Sequence, residues 1–339
     1  MTSYPSIGDQ SRPYQLRLSQ YFLKSKLERL TKEATTGIKN DIPSALKGDL
    51  SRIAHIESRL TVLNTYQQNA SEALSMFDAM QNTLERIQIS VDETGPSLLS
   101  EAGGSSEDML RLRADAISED FRSIVGALNT SSSGRHLLSG AKTDTAPLGD
   151  FETMVAELNA TVAGASSAND IVARIDAWFD APAGAGGFTD NVYQGSASGS
   201  TELAVSADRT VGSSLTANSS QLRNTLKGMA IMTYLAKSGA SLDSATIREL
   251  FTVSGLRLVS ASTDLTSARA QIGIQQSAAS QAQARNAAES SSLSVTRLRL
   301  IGADPYETAT ALQEAEASIQ NLYTLTARLA RLSLTDYLS

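Results

Sequence analysis

Residues Ile53–Val91, IAHIESRLTVLNTYQQNASEALSMFDAMQNTLERIQISV, decide the fold of this 339-residue chain. Their apolar positions recur at alternating steps of three and four over roughly five heptads, which predicts a long helix at about residues 44–92 that packs lengthwise on other helices. The seam consists of Ile53, Ile56, Leu60, Leu63, Gln67, Ala70, Leu74, Phe77, Gln81, Leu84, Gln88 and Val91. Its three glutamines indicate either a more hydrated helical bundle or polar contacts that set the register of neighbouring helices.

The same alternation predicts further helices on both sides of this segment. They run over about 14–36, 106–130, 219–238, 243–300 and from Pro305 onward, with shorter helices at about 150–160 and 168–180. Glycine and proline predict an interruption at ETGPSLLSEAGGSS (93–106). DNVYQ (190–194) and TELAVSA (201–207) are predicted as short strands around a turn at 195–200.

These elements predict a mainly α fold, a long antiparallel helical bundle or coiled-coil rod with paired terminal helices and a small α+β insert domain. Residues 1–40 and 301–339 would be the terminal assembly helices, and residues 41–142 and 215–300 the rod. Residues 143–214 would be an outward-facing inserted domain. This insert carries ten acidic side chains and only two basic ones, Arg174 and Arg209.

The terminal helices carry wide apolar stripes close to the chain ends, and such stripes need partner helices. We therefore predict that the two ends pack on each other and on sister subunits. The predicted assembly interface is Leu16, Leu23, Leu27, Leu30, Leu312, Ile319, Leu322, Tyr323, Leu325, Leu329 and Leu332.

Composition narrows the function classes. The formal net charge of −7 disfavours bulk nucleic-acid binding. The absence of cysteine excludes disulfides, thiolate metal sites and cysteine nucleophiles. The sequence shows no apolar run of membrane-spanning length and no Sec-type signal peptide, so we expect a cytosolic protein or one exported without a cleaved signal. Residues 1–47 carry a net charge of +4, but interleaved acids favour an ordinary solvated face there.

The stretch GRHLLSGAKTDTAP (134–147) resembles a phosphate-binding loop. Walker A chemistry requires lysine directly after the second glycine, whereas Ala141 separates Gly140 from Lys142, and a predicted helix rather than a strand precedes the loop. A Ser139–His136–Asp144 triad lacks the G-x-S-x-G turn, and GSASG (195–199) has alanine at the nucleophile position. We therefore predict no enzyme activity, no cofactor and no metal site.

The same stretch is interpreted as a boundary between the helical part and the insert. Its boundary residues are Gly134, Leu137, Leu138, Gly140 and Pro147. Glycines would end the helical half and release the chain, while the two leucines would anchor it against the helices.

Several stretches resemble the bacterial flagellin superfamily, most closely its hook-filament junction members among the hook-associated proteins. SSGRHLLSGAKTDTAP (132–147) resembles the segment that enters the family's insert, and DNVYQG (190–195) resembles an insert segment. SARAQIGIQQSAASQAQAR (267–285) and residues 304–339 resemble its C-terminal helices. ATTGIKNDIPSALKG (34–48) resembles the N-terminal motif but lacks its Asp-Asp-Pro.

The resemblance implies an extracellular structural subunit of the flagellum, exported through the flagellar type III channel with the help of a chaperone. A junction protein would join the preceding hook-associated protein to flagellin and would self-assemble into a ring or tube. The net charge and the lack of a long apolar run predict no nucleic-acid partner and no membrane insertion. A filament flagellin and a secreted coiled-coil adaptor or effector remain as alternatives.

Overall fold

The computed structural model describes residues 7–197, 199 and 202–338, with side chains between residues 14 and 329. Helices dominate these residues, which confirms the mainly α fold class. The helices are α1 Ile7–Thr36, α2 Ile42–Ala45, α3 Ser51–Gly104, α4 Glu107–Leu128, α5 Phe151–Val162, α6 Ala168–Asp180, α7 Phe188–Asn191, α8 Ser220–Lys237, α9 Ser244–Ile301 and α10 Pro305–Leu338. The strands are β1 Ser131–Ser132, β2 Arg135–His136, β3 Leu203–Ser206 and β4 Arg209–Val211.

The chain divides into two compact units. The smaller unit combines Met1–Leu63 with Ala288–Ser339, and the larger unit is Asn64–Ala287. Both long helices, α3 and α9, contribute residues to each unit. Within the described part of the chain, no helix is both long and apolar enough to span a membrane.

In the larger unit, the inserted segment shares its core with the surrounding helices. The rings of Phe121 on α4 and Phe151 on α5 meet edge to face, with centroids 5.5 Å apart. Ion pairs hold α6 in place, since Asp180 lies 2.6 Å from Lys227 of α8, and Asp176 pairs with Arg257 of α9. Lys227 is almost fully buried, so its pairing offsets the cost of removing its charge from water.

The interruption predicted at residues 93–106 is confined to Ser105 and Ser106, because α3 continues through Gly95 and Pro96 to Gly104 and α4 begins at Glu107. A proline inside a helix lacks one hydrogen-bond donor, yet Leu98 beyond it is fully buried. Gly95 lies against α9, where an added Cβ would stand 3.2 Å from the Val259 side chain. Tertiary packing of this helical turn therefore outweighs its poor helix propensity.

The seam between α3 and α9 is polar where the sequence has glutamines. The Arg269 guanidinium donates to Gln81 Oε1 at 3.1 Å and to Gln88 Oε1 at 2.8 Å. Gln81 Nε2 donates back to the Arg269 carbonyl at 2.9 Å, and Gln88 Nε2 donates to Thr266. Polar pairs of this kind restrict two helices to one register, as the seam glutamines predict.

One of the two predicted short strands is confirmed, but its partner and the turn between them differ from the prediction. TELAVSA contributes β3, which pairs with β4 around a turn at Ala207 and Asp208, not around residues 195–200. DNVYQ forms no strand, because it begins inside α7 and contributes only a single bridge from Tyr193 to Leu148. Buried Asn286 holds the β3–β4 hairpin on α9, since its Nδ2 donates to the Val205 carbonyl at 2.8 Å.

A glycine-rich loop of the insert is closed by one carboxylate. Asp190 Oδ2 accepts from the backbone N–H of Gly184 at 2.9 Å and of Gly186 at 2.8 Å. Both glycines have positive φ, 88° and 75°, which other residues adopt at a cost. The donated backbone hydrogen bonds, Gly184 first, lower the pKa of Asp190.

Asp190→Asn should lower the thermal stability of the protein at neutral pH. It should also make that stability less sensitive to a fall in pH. Because the folded-state pKa is lowered, the stabilisation is complete above the unfolded-state pKa of about 3.9 and is lost as the pH falls through the folded value. Thermal melts of both proteins between pH 7 and pH 3 should converge toward low pH. A difference in melting temperature that stays constant across this range would contradict a lowered pKa of Asp190 in the folded protein.

Candidate assembly surface

In the smaller unit, α1 runs antiparallel to α10 along its length. The two chain segments cross at a bridge between Ile38 and Gly302, where Lys39 N–H donates to the Ile301 carbonyl at 2.9 Å. Asp304 caps α10, because its Oδ1 accepts from the backbone N–H of Tyr306 at 2.8 Å and of Glu307 at 3.0 Å. The cap and the bridge fix where α10 begins relative to α1.

The ends of α3 and α9 support this pair. Arg59 and Glu289 form a two-pronged contact, with Nε donating to Oε1 at 2.6 Å and Nη2 to Oε2 at 3.0 Å. The Arg59 hydrogen bond lowers the pKa of Glu289. Arg297 Nε also donates to Glu57 Oε1, at 3.2 Å. These ion pairs align the two helices, whose apolar contacts bury Ile53, Ile56, Leu63 and Ile301.

The residues of the predicted interface divide into two groups. The first faces the partner helix inside the chain: Leu30 is buried, and Leu16, Leu23, Leu27, Leu312, Ile319 and Leu322 are half-buried. The second group is exposed, namely Tyr323, Leu325 and Leu329. The Leu332 side chain lies outside the described residues. The structure thus brings most of the seam together within one chain and leaves the second group at the surface.

A second apolar stripe on α1 was missed by sequence reasoning. Tyr14 and Tyr21 are 69% and 71% exposed, and Leu18 and Phe22 are also exposed. Positions 14, 18 and 21 follow the same four-and-three spacing as the buried seam, on the opposite face. That spacing was a signal in the sequence, but the leucines of the seam were the stronger one.

Residues 129–148, the boundary loop, fold compactly on themselves instead of leading straight out of the helices. Ser133 and Gly134, both at positive φ, turn the chain between β1 and β2. Leu137 and Leu138 are buried, and Gly140 has a φ of 67°.

Backbone hydrogen bonds hold the boundary loop to two later parts of the chain. The Pro147 carbonyl accepts from Gln194 N–H at 2.9 Å, and the Leu138 carbonyl accepts from Ala217 N–H at 2.8 Å. Asn129, which was not identified from the sequence, joins the two ends of the boundary loop. Its Nδ2 donates to the Leu148 carbonyl at 3.0 Å, and its Oδ1 accepts from Leu148 N–H at 2.9 Å.

The polar residues of this stretch face backbone groups. His136 Nδ1 lies 2.8 Å from the Asn129 carbonyl, and Ser139 Oγ donates to the His136 carbonyl at 3.2 Å. Ser139 is fully buried, whereas Lys142 and Asp144 are exposed. The Ser139 hydroxyl therefore contacts the backbone of His136 and not its imidazole ring, as a Ser–His pair would require.

Comparison with known proteins bears on the terminal helices. Residues 258–338 match the family model of the bacterial flagellin C-terminal helical region. The fold is similar to that of a protein from Vibrio parahaemolyticus solved as a candidate flagellar hook-associated protein, with a TM-score of 0.51 and 16% identity over 72% of this chain and 93% of that one. The match shows similarity to flagellins over residues 258–338, and the structural likeness shows a shared fold. The search of curated proteins found no match.

The flagellin C-terminal region covers the later part of α9 and all of α10. It therefore includes Arg269, which sets the register against α3, and the exposed Leu325 and Leu329. The similarity to the flagellin superfamily and the exposed apolar surface thus coincide on one segment.

Proposed function

We propose that this chain is a non-enzymatic structural subunit of the bacterial flagellum and assembles through its terminal helices. One observation carries the proposal: the segment that matches the flagellin C-terminal helical region ends in a helix pair whose outer apolar side chains are exposed. Exposed apolar surface of this kind is characteristic of an interface. In this proposal residues 1–40 and 301–339 form the assembly element.

The finer proposal is a subunit of the hook-filament junction. The similar Vibrio parahaemolyticus structure is a candidate hook-associated protein, and the stretches 132–147 and 190–195 resemble junction proteins. The partners would be the preceding hook-associated protein, flagellin, further copies of this chain and an export chaperone. The location would be extracellular, reached without a cleaved signal peptide, and residues 143–214 would face outward from the rod formed by 41–142 and 215–300. No cofactor, nucleic acid or membrane insertion takes part.

A filament flagellin is the second candidate, favoured by the match to the flagellin C-terminal region. Labelling separates the two. Fluorescent labelling of a cysteine introduced at exposed Asp144 should mark a single spot at the distal end of the hook. Label along the whole filament would overturn the junction assignment and support the flagellin assignment.

Removal of residues 305–339 should abolish incorporation into flagella and motility. The truncation deletes α10 and with it the seam partner of α1, so the assembly element is lost. Cells expressing the truncated chain would be scored by swimming and by its presence in sheared flagella. The control is the Asp144→Cys chain used for labelling, whose change is at an exposed position outside the terminal helices and should leave motility intact. Normal motility of the truncated strain would contradict the proposal.

A further inference from the structure

The outer face of α1 carries an apolar stripe that the described part of the chain leaves uncovered. It consists of Tyr14, Leu18, Tyr21 and Phe22, all of them exposed. At 3.6 residues per turn, these four positions fall within roughly 100° of the helix circumference. The leucines that pack toward α10 lie on the opposite side of α1, where they are buried or half-buried. The stripe is therefore a ridge that points away from the helix pair.

Cations border this ridge on both edges. They are Arg17 and Lys24 on the edge of Tyr21, four residues before it and three after it, and Lys26 and Arg29 on the edge of Phe22, four and seven residues after it. All four side chains are exposed. Among residues 14–329, none of the four lies within 4 Å of a carboxylate oxygen. Their charges are thus available to an anionic surface that touches the stripe.

Most of the acids in residues 1–47 lie away from this face. Glu33 Oε1 accepts from the Asn40 N–H at 2.9 Å, and Asp41 caps α2 beyond the end of α1. The Asp9 side chain lies outside the described residues. Glu28 is the one acid among the described residues of α1 that borders the stripe, nearly two turns beyond its last ring. The charges that alternate along the sequence therefore separate in the folded helix.

The acids of α10 belong to the helix behind this face. Glu314 and Glu316 lie on the two flanks of the helix pair, beyond ion-pair distance from the α1 cations. Glu307 shares a shallow groove with Arg29, which offsets part of that charge. Since α10 packs on the leucine side of α1, a flat surface that contacts the stripe meets the cations of α1 first.

We propose that the outer face of α1 binds anionic lipid surfaces, with the helix lying flat among the headgroups and not spanning the bilayer. The rings of Tyr14, Tyr21 and Phe22 enter the boundary between headgroups and acyl chains. Tyrosine is favoured at this depth, because its ring is apolar and its hydroxyl is polar. The basic side chains on both edges extend to the lipid phosphates while their stems cover apolar surface.

A lipid surface matches this face better than an acidic protein does. The ridge requires an apolar layer in the middle and anions along both edges, and a bilayer with anionic headgroups provides both everywhere on its surface. An apolar helix face bordered by lysine and arginine is characteristic of such interfacial binding. The excess acid of the chain lies in residues 143–214 and not in α1. The inference concerns the unassembled chain and does not depend on the proposed function.

Co-sedimentation of the purified full-length chain with sucrose-loaded vesicles tests the proposal. Vesicles of phosphatidylglycerol and phosphatidylcholine in equal parts should bind the chain at least about ten-fold more strongly than vesicles of phosphatidylcholine alone. Arg17→Gln combined with Lys24→Gln should weaken binding to the anionic vesicles roughly 25-fold, about five-fold for each cation. The matched control, Lys142→Gln with Arg209→Gln, removes two exposed cations from the insert and should change binding by less than about two-fold.

A fluorophore locates the bound face, because the native chain has no cysteine. Ser25→Cys, exposed four residues after Tyr21, would carry an environment-sensitive nitrobenzoxadiazole label. Its emission should shift to the blue on anionic vesicles, whereas the same label at Gln313→Cys, exposed on α10, should not respond.

Equal binding to both kinds of vesicle would overturn the proposal, as would anionic binding that the Arg17 and Lys24 substitutions leave unchanged. A blue shift of the Ser25 label in concentrated protein without lipid, and none on vesicles, would also overturn it. That result would assign the stripe to a contact with a second copy of the chain.

Discussion

Replacing Gly255 with valine is expected to lower the free energy of unfolding of the Asn64–Ala287 unit by about 3 kcal/mol. An added Cβ would lie 2.8 Å from Leu99 Cγ and 3.0 Å from the Gly95 carbonyl oxygen. The backbone of α3 cannot yield as a flexible side chain does, so the helices must separate. Leu258, fully buried between them, would lose contacts as well.

Urea unfolding followed through Trp178, the single tryptophan of the chain, measures this effect. Trp178 is buried beside Phe188 in the same unit, so its emission reports unfolding there. The matched control is Gly126→Ala on α4, where an added Cβ meets nothing within 4 Å. That change should raise stability by up to about 1 kcal/mol. Equal effects of the two substitutions would show that close packing at Gly255 is unimportant.

The error at residues 93–106 shows what local sequence could not reveal. Gly95 and Pro96 are helix breakers by propensity, and the sequence contains nothing local that overrides it. The override comes from α9, more than 150 residues away, whose Gly255 and Leu258 fit closely against Gly95. The heptad pattern of residues 53–91 was strong enough to predict α3, but its C-terminal end depended on a partner that periodicity does not identify.

The exposed part of the candidate assembly surface was missed for a related reason. Heptad spacing identifies seams but not their occupants, so residues such as Leu23 and Ile319 were assigned to neighbouring subunits and to the partner helix alike. The structure pairs them within one chain, at half-buried positions. The exposed stripe that starts at Tyr14 remained unnoticed because aromatic residues amid lysines and arginines resemble an ordinary solvated face.

The position of the boundary loop, residues 129–148, could be predicted from the sequence, but the contacts that hold it together could not. Gly134 and Gly140 marked the turns, and Leu137 and Leu138 marked the buried anchors. The residue that joins the two ends, Asn129, follows a helix in a polar stretch where asparagine is common as a helix end. Only the three-dimensional proximity of Leu148 gives its amide group a specific role.

Asn129→Leu is expected to destabilise the larger unit by about 3 kcal/mol. The asparagine amide satisfies both the N–H and the carbonyl of Leu148, as a neighbouring β-strand would. Leu148 is only 2% exposed, so water cannot replace both bonds. A buried backbone group without a partner costs about 1–3 kcal/mol, and the substitution leaves two of them.

The same unfolding measurement at Trp178 tests this prediction, with Asn82→Leu as the control. Asn82 is exposed on α3, so its substitution should change stability by less than about 0.5 kcal/mol. If Asn129→Leu had an equally small effect on stability, the Leu148 backbone would have to form other hydrogen bonds. The boundary loop would then be held mainly by buried Leu137 and Leu138. A large effect would instead show that the two Asn129 hydrogen bonds to Leu148 are a main support of the segment that leads from α4 into the insert, beside the aromatic contacts and ion pairs that hold the insert on the helices.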